Sequence, residues 1–411
     1  MSTAVIGAGI VGACVAHELL ERGEAVTLLE RAQPGEGASY GNSAAISPAS
    51  IVPLAMPGVL KSVPKMLLDP EGALRVAPLY LPRALPWLLR FLAAARPERV
   101  EQVARALKVL HDGAVEQHQA LARKIEAQEL IAQLGHLYLY PDEEAVKSDA
   151  GGWRLREQFG IPVQRLGPGE IGEIEPAVNT GRYPIGFLLP TNGMVLNPRR
   201  YVQKIVESFV VRGGIVLADE VRRLEPRSGG GWSVAGAENH YVFDRVVLAA
   251  GIQSKALLDD LGLRVPLESQ RGYHAEFKGG PILNRTCVLA NRKAFVAPLE
   301  TGMRIAGTVE IAGIDAPPNM RRAEILGRFA REAFTGLPDA EPEYWMGHRP
   351  CFPDYLPAVG EVAARPGLWV AIGHGHLGVT DSVTTAKLIG DAMLAGKRPP
   401  ALAALALERF S

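Results

Sequence analysis

Two kinds of apolar run alternate along the chain, and their spacing predicts its elements. Ala4, Val5 and Ile6 form the short continuous run of a buried parallel strand, residues 14–21 carry helical spacing, and Val26-Thr27-Leu28-Leu29 reads as a second strand. The same alternation returns later, with a helix over residues 198–211, a strand over 214–217 and an apolar strand over 245–251 that ends in small residues. A last strand over residues 368–372 precedes a helix running to Met393. Between these stretches the pattern changes. Residues 53–100 are rich in Pro and Leu, which predicts short helical pieces, either facing a core or forming an amphipathic patch on a membrane surface. Val100, Val103, Leu107, Leu110 and Val115 predict one long helix within residues 98–131. Residues 137–140 read as a strand and 143–159 as a helix, where a second domain begins. Residues 273–277, 295–299 and 303–309 alternate with period two, which predicts antiparallel sheet, with one helix over 321–334. The whole is an α/β pattern interrupted by antiparallel sheet.

Length and composition narrow this picture. A chain of 411 residues with 47% hydrophobic content exceeds one ordinary core and predicts two globular domains. Lys and Arg (44) balance Asp and Glu (44), and no basic cluster is interleaved with aromatics, so nucleic acid is not an expected partner. Cys14, Cys287 and Cys351 are widely spaced, which fits neither a disulfide framework nor a metal site and makes a reducing cytoplasm the expected compartment. No apolar run reaches the length of a membrane span, which leaves peripheral contact at the inner face of a membrane as the alternative.

The candidate chemistry starts at the first strand. Gly7, Gly9 and Gly12 satisfy G-x-G-x-x-G, Ile10 and Val11 open the helix, and Glu30 followed by Arg31 closes the second strand. Such a turn brings backbone against a pyrophosphate at a helix N-terminus, and an acid at this offset suits a ribose hydroxyl, so strand, glycines, helix and acid together predict a dinucleotide site. Gly167-Pro168-Gly169-Glu170-Ile171-Gly172 fits the same spacing, but Pro168 removes an N–H that a phosphate needs, so it reads as a proline-initiated helix start. Gly373, Gly375 and Gly378 follow a real strand but lack a second strand and acid. They predict a helix N-terminus suited to an anion such as a reduced isoalloxazine.

Taken with residues 41–48, Ala250-Gly251, Arg271-Gly272-Tyr273 and Gly347-His348-Arg349-Pro350, these motifs resemble in order and spacing the flavin-dependent D-amino acid oxidase superfamily. Within it the chain is most similar to the D-amino acid dehydrogenases, including those for D-hydroxyproline. The resemblance implies an α/β, two-domain α+β architecture of the D-amino acid oxidase and glycine oxidase type. A Rossmann-like FAD-binding domain would comprise residues 1–50, 185–265 and 346–411, and an antiparallel-sheet substrate domain with a helical insertion would comprise 51–184 and 266–345. It further implies that Val221 contacts adenine through its backbone, and that Asn42, Ser43, Ala44, Ala45 and Ile46 frame the isoalloxazine together with Gly375, His376, Leu377, Gly378 and Thr380. Non-covalent FAD is expected, because Cys351 is displaced from the position of the flavin-tethering cysteine of sarcosine oxidases.

In the family the arginine of G-x-R-P grips a substrate carboxylate, which points to Arg349, whose paired donors match that group. Tyr273 is either a second carboxylate donor or a packed strand tyrosine, and His348 and His376 flank the expected pocket. Phe295 stands where glycine oxidases carry a tyrosine, which suits an apolar side chain. The implied reaction is hydride transfer from Cα of a D-amino acid, with D-proline or D-hydroxyproline as candidates, to flavin N5. No lysine matches the oxygen-reducing lysine of sarcosine oxidases on the strand around Met303-Arg304-Ile305, so a quinone or partner protein is the expected electron acceptor. The alternatives are a sarcosine- or glycine-type amine oxidase and the flavin subunit of a hetero-oligomer.

Overall fold

A computed structural model of the chain describes residues 1–57, 69, 71–280, 282–396 and 399–410. Part of the expected helical stretch at 53–100 lies outside these residues.

The apolar strands assemble into a six-stranded sheet in the order Ile215–Ala218, Ala25–Glu30, Ser2–Ile6, Arg245–Leu248, Leu368–Ile372 and Ala358–Glu361. All neighbours are parallel except the last pair, and the central strands are buried on both faces, which explains their unbroken runs of Val, Ile, Leu and Ala. The helices Ile10–Glu21, Pro198–Val211 and Gly378–Ala395 cover one face. A three-stranded antiparallel sheet that buries Trp232 and Val234 covers the other.

The expected long helix over 98–131 is instead two, Pro97–His111 and Ala114–Lys124, broken where Gly113 takes the left-handed conformation. Both pack against the C-terminal helix Gly378–Ala395 in the same apolar cluster as Ala13 and Leu19. This stretch, expected within the substrate domain, therefore belongs with the helical layer of the first sheet.

The second layer is a nine-stranded sheet in which Glu343–Cys351, Glu268–Lys278, Gly302–Ile311 and Ala294–Leu299 run antiparallel in that order. It continues through Thr286–Leu289, His136–Tyr140, Ile185–Leu189 and Gln164–Leu166, and two of its pairings are parallel, so it is mixed where pure antiparallel sheet was expected. Two segments expected in the FAD-binding domain begin in this sheet: Ile185–Leu189 pairs with His136–Tyr140, and the whole of Glu343–Cys351 pairs with Glu268–Lys278. The helix Arg321–Ala333 covers one face through Leu326, Phe329 and Ala330, while the other face is turned to the first domain.

One buried cation joins the two layers. Arg304 donates from Nε and Nη2 to Glu276 Oε2 at 2.9 and 2.6 Å, and from Nη1 to the carbonyls of Tyr40 and Asn42 at 2.6 and 2.9 Å. Burial opposes ionisation of Glu276, but the Arg304 charge and the hydrogen bonds from Lys278 and Arg304 outweigh it and hold the carboxyl down at about 2. A carboxylate depressed from its ordinary 4.5 contributes stability that is present above that value and is lost as pH falls towards about 2. Glu276→Gln, which leaves Arg304 without its counter-charge, is expected to cost about 3 kcal/mol near neutrality. It is also expected to flatten the acid limb of a stability-against-pH curve measured by denaturant unfolding. An unchanged acid limb would show that the pair does not carry this linkage.

Candidate active site

The glycine turn opens an elongated cleft of about 570 Å³ that runs from Glu30, Arg31 and Val221 at one end to Pro350, Gly375 and Gly378 at the other. The three glycines of the first motif serve different ends. Gly7 has φ of +101°, and a Cβ there would meet the Ala249 carbonyl oxygen at 2.7 Å. A Cβ on Gly12 would stand 1.9 Å from the Gly7 oxygen, so this glycine lets the helix pack on the turn and does not itself line the cleft. Gly9 is the open one, with only Ser39 Oγ near its missing side chain, at 3.4 Å. Ser39 accepts a hydrogen bond from Ile10 N at 2.9 Å at the helix start. Glu30 accepts from Ala8 N at 2.6 Å and from Ala32 N at 3.1 Å, which places an acid at the mouth of the turn.

Of the residues expected to bind cofactor, Gly7, Gly9, Ile10, Val11, Glu30, Arg31, Asn42, Val221, Ala250, Gly251, Gly375 and Gly378 line the cleft. The others do not. Ala45 and Ile46 form a short strand paired with Met194 and Gly193, and the Ala44 carbonyl accepts from Val195 N. Ser43 lies in the same loop without lining the cleft. Leu377 is core. Thr380 accepts from Ser47 N at 3.0 Å and donates to the Ala45 carbonyl at 3.3 Å. Asn42 Nδ2 donates to the His376 carbonyl at 3.5 Å. These residues sew the loop at 42–47 to the N-terminus of the last helix, which holds the far end of the cleft in shape. A turn with one open glycine, an acid at its mouth and a helix N-terminus at the opposite end fits FAD, with the adenosine half towards Glu30 and Val221.

Arg349 lies beside that far end. Its guanidinium crosses Gly272, where a Cβ would come within 2.2 Å of Arg349 Cζ, so only glycine leaves room for it. Nη1 donates to the Thr308 carbonyl at 2.8 Å and Nη2 to the Gly307 carbonyl at 3.4 Å. Among the described residues no carboxylate forms an ion pair with it. Protein surrounds the group closely enough that burial pulls it below the usual guanidinium range, yet it keeps accessible surface, as a side chain lining an internal hollow does.

The alternation of the strand pair assigns the other expected residues to the opposite face. Arg271, Tyr273 and His348 share one face, while Gly272 and Arg349 share the other. Tyr273 donates to Glu310 Oε2 at 2.6 Å and accepts from Asn319 N at 3.0 Å, buried under the helix Arg321–Ala333. His348 sits 2.8 Å from Ser269 Oγ, and burial, followed by the Arg271 charge, keeps it below the usual histidine range. Neither reaches the Arg349 side, which corrects the expectation that they join it. The tyrosine reading that holds is the packed strand residue.

His376 and Phe295, which the sequence singled out, do share the hollow, together with Tyr355 and Tyr138, which it did not. Tyr355 Oη lies 2.6 Å from His376 Nε2, and both side chains feel the Arg349 charge. Phe295 stands edge-on to Tyr138 and His136 with ring centroids 6.4 and 6.3 Å away, and Tyr138 in turn meets Trp153 edge-on at 5.4 Å. Aromatic spacing along a strand is too common a pattern to have marked Tyr138 beside Phe295. Arg349 thus supplies a cation, Tyr355 and His376 a polar pair, and Tyr138 with Phe295 an apolar side.

Comparison with known proteins agrees with this geometry. Residues 2–392 match the family model described as FAD dependent oxidoreductase, DAO. The chain is 37% identical over 404 residues to the D-amino-acid oxidase of Bradyrhizobium diazoefficiens, covering 96% of this chain and 95% of that one. It is 32% identical over 427 residues to D-amino acid dehydrogenase 2 of Ralstonia nicotianae, covering 98% of each. In structure it is similar to glycine oxidase from Geobacillus kaustophilus, with a TM-score of 0.75, 21% identity and coverage of 98% of this chain and 97% of that one. L-proline dehydrogenase from P. horikoshii gives 0.76 at 18% identity, covering 100% and 97%. With a cleft built for a dinucleotide and a family match along nearly its whole length, the chain belongs to the DAO family of FAD-dependent oxidoreductases.

Proposed function

We propose that the chain oxidises the Cα–N bond of a D-amino acid carrying an apolar or cyclic side chain, with D-proline and D-hydroxyproline as candidates. The observation that carries this reading is Arg349, a cation in an internal hollow at the end of the cofactor cleft with no acidic partner among the described residues. A buried guanidinium without a counter-charge costs folding free energy unless a ligand supplies one, and a carboxylate matches its fork. The aromatic wall of Tyr138 and Phe295 favours an apolar substituent. The D configuration is supported by the names of the relatives in Bradyrhizobium and Ralstonia.

FAD, when bound, supplies the two-electron oxidation. The protein's own part is orientation. Arg349 holds the carboxylate, the wall holds the side chain, and these two contacts together settle which face of Cα turns towards the cleft. The Arg349 charge also disfavours a second cation nearby, so the substrate amine is easier to deprotonate in the hollow than in water. Cys351 is buried, and burial pushes its thiol up to about 12, which supports non-covalent FAD because a protonated thiol is a poor nucleophile. No lysine stands on Gly302–Ile311, and Arg304 there is held by Glu276 and two carbonyls, which supports a quinone or a partner protein over dioxygen as acceptor.

A surface feature supports contact with a membrane-bound acceptor. Among the described residues no helix is long and apolar enough to cross a membrane. The helix Leu81–Ala94, however, buries Ala84 and Trp87 while exposing Leu81, Leu85 and Leu89 as a stripe, with Leu79 98% exposed just before it. Arg83 and Arg90 project from the same helix, well round from the stripe, and no acid occurs between Gly72 and Pro97. An exposed leucine stripe on a segment whose charged residues are all basic suits an anionic lipid surface.

Two outcomes are expected. Arg349→Ala should raise KM for D-amino acids by two or more orders of magnitude, in line with the loss of a charge-assisted bidentate contact, while the protein stays yellow through gel filtration. Unchanged kinetics would remove Arg349 from the substrate site, and wild-type protein that no D-amino acid bleaches anaerobically would end the reading. Co-sedimentation should show binding to phosphatidylglycerol vesicles that weakens with salt and is lost in the Leu85→Ser, Leu89→Ser double variant. Indifference to such vesicles would point to a soluble partner instead.

A further inference from the structure

Tyr355 occupies a backbone position that tyrosine ordinarily avoids. It lies in the turn after Glu343–Cys351 with φ of +69°, a conformation that strains a bulky side chain. Such strain persists only where neighbours over-determine it. Here Arg409 grips both flanking residues, donating to the Asp354 carboxylate at 2.7 and 3.2 Å and to the Leu356 carbonyl at 2.6 Å. The clamp leaves the ring between them aimed inward.

What it is aimed at is the Arg349 hollow. The end of the Arg349 strand is tied to the Gly373–Gly378 turn by Gly375 N donating to the Pro350 carbonyl at 2.9 Å and by a bridge between Cys351 and His374. His376 follows directly, with Nε2 2.6 Å from Tyr355 Oη. Burial, and after it the Arg349 charge, push His376 down to about 3, so it is neutral at working pH and carries a single ring N–H. Burial keeps the Tyr355 phenol protonated.

A guanidinium has five N–H donors, and Arg349 gives one each to the Gly307 and Thr308 carbonyls. The remainder satisfy part of a carboxylate, which has about four lone-pair sites to fill. We propose that the Tyr355 hydroxyl is the second donor to the substrate carboxylate beside Arg349, with His376 as the residue that positions it. His376 Nε2–H donates to Tyr355 Oη, which turns the hydroxyl proton away from the imidazole and towards the anion. This assignment rests on the function proposed above and places on the loop tyrosine the role that the strand tyrosine, Tyr273, does not reach.

The test uses the oxidised, FAD-loaded protein and unreactive ligands, with the flavin band as readout. Benzoate, a carboxylate, and benzamide, its neutral amide, are titrated against wild type, Tyr355→Phe, His376→Gln and His376→Leu. Wild type should bind benzoate more tightly than benzamide. Tyr355→Phe should weaken benzoate binding by about tenfold or more, the worth of one hydrogen bond to a charged group, and leave benzamide unchanged. Its thermal midpoint should stay within about 4 °C of wild type. His376→Leu should weaken benzoate binding, and His376→Gln, which keeps a side-chain donor, should restore most of it. Tyr355→Phe that binds benzoate like wild type would overturn the proposal, since the hydroxyl then only braces His376, and so would equal losses for benzoate and benzamide. Wild type that D-amino acids bleach but whose benzoate binding ignores Tyr355 leaves the proposed function standing without this assignment. Wild type that neither binds carboxylates nor is bleached overturns both.

Discussion

The site depends on the four hydrogen bonds that hold Arg304. Its guanidinium meets one carboxylate and two carbonyls, and those carbonyls belong to the loop that carries Asn42 to the cleft, while the carboxylate belongs to the substrate-side sheet. A buried cation tolerates such a position only if its donors are met, so the loop and the sheet cannot separate without exposing unpaired groups to a low-dielectric interior. The spacing between the cofactor cleft and the sheet that carries Arg349 is set by that requirement. Trp345 fills the same seam, lying against Gly41 and Gly347 and stacked on His274 with centroids 5.0 Å apart.

Arg349 shows the opposite arrangement a short distance away. Both arginines emerge from strands that flank Glu268–Lys278 in one sheet, both use carbonyls as partial acceptors, and among the described residues only one has a carboxylate. The difference is chemical: the interior of a fold completes the shell of a structural cation with its own groups, and leaves part of the shell of a recognition cation to the ligand. Two tightly packed arginines can therefore be told apart by what is missing around one of them.

This contrast also explains what the sequence made legible. Gly7, Gly9, Gly12 and Glu30 act within one βαβ unit, where spacing along the chain is spacing in space, and the turn, helix and acid formed as their pattern required. Arg349 was marked by its motif, but its setting was not, because the glycine it lies across, Gly272, comes from another strand. Tyr273 is adjacent in sequence to that glycine and opposite in space, a distinction set by alternation across a strand that no one-dimensional motif records. The helix break at Gly113 was hidden for a related reason: the apolar spacing continues on both sides, and only the left-handed glycine ends the first helix. The pairing of Ile185–Leu189 with His136–Tyr140 was hidden too, because a strand's place along the chain does not record its partner in a sheet.

Backbone strain was the least legible feature and the one most concentrated at the site. Of the described non-glycine residues with positive φ, Thr308 and Tyr355 border the hollow and Ala44 lies two residues after the cleft-lining Asn42. None is a residue type that favours the left-handed region, so no turn signal announces them. Each is held by specific bonds: Ala44 through its N–H to Asn42 Oδ1 and its carbonyl to Val195 N, and Tyr355 by the Arg409 clamp on either side. Thr308 lies where the register slips, since Arg271 faces Glu310 but Tyr273 faces Gly307, and the bulge presents two successive carbonyls to Arg349. A regular strand would direct those carbonyls to opposite sides and could not hold one guanidinium with both. The strain at Thr308 is therefore the geometric condition for fixing the fork of Arg349, and the free energy it costs is offset by pairings that span the whole sheet.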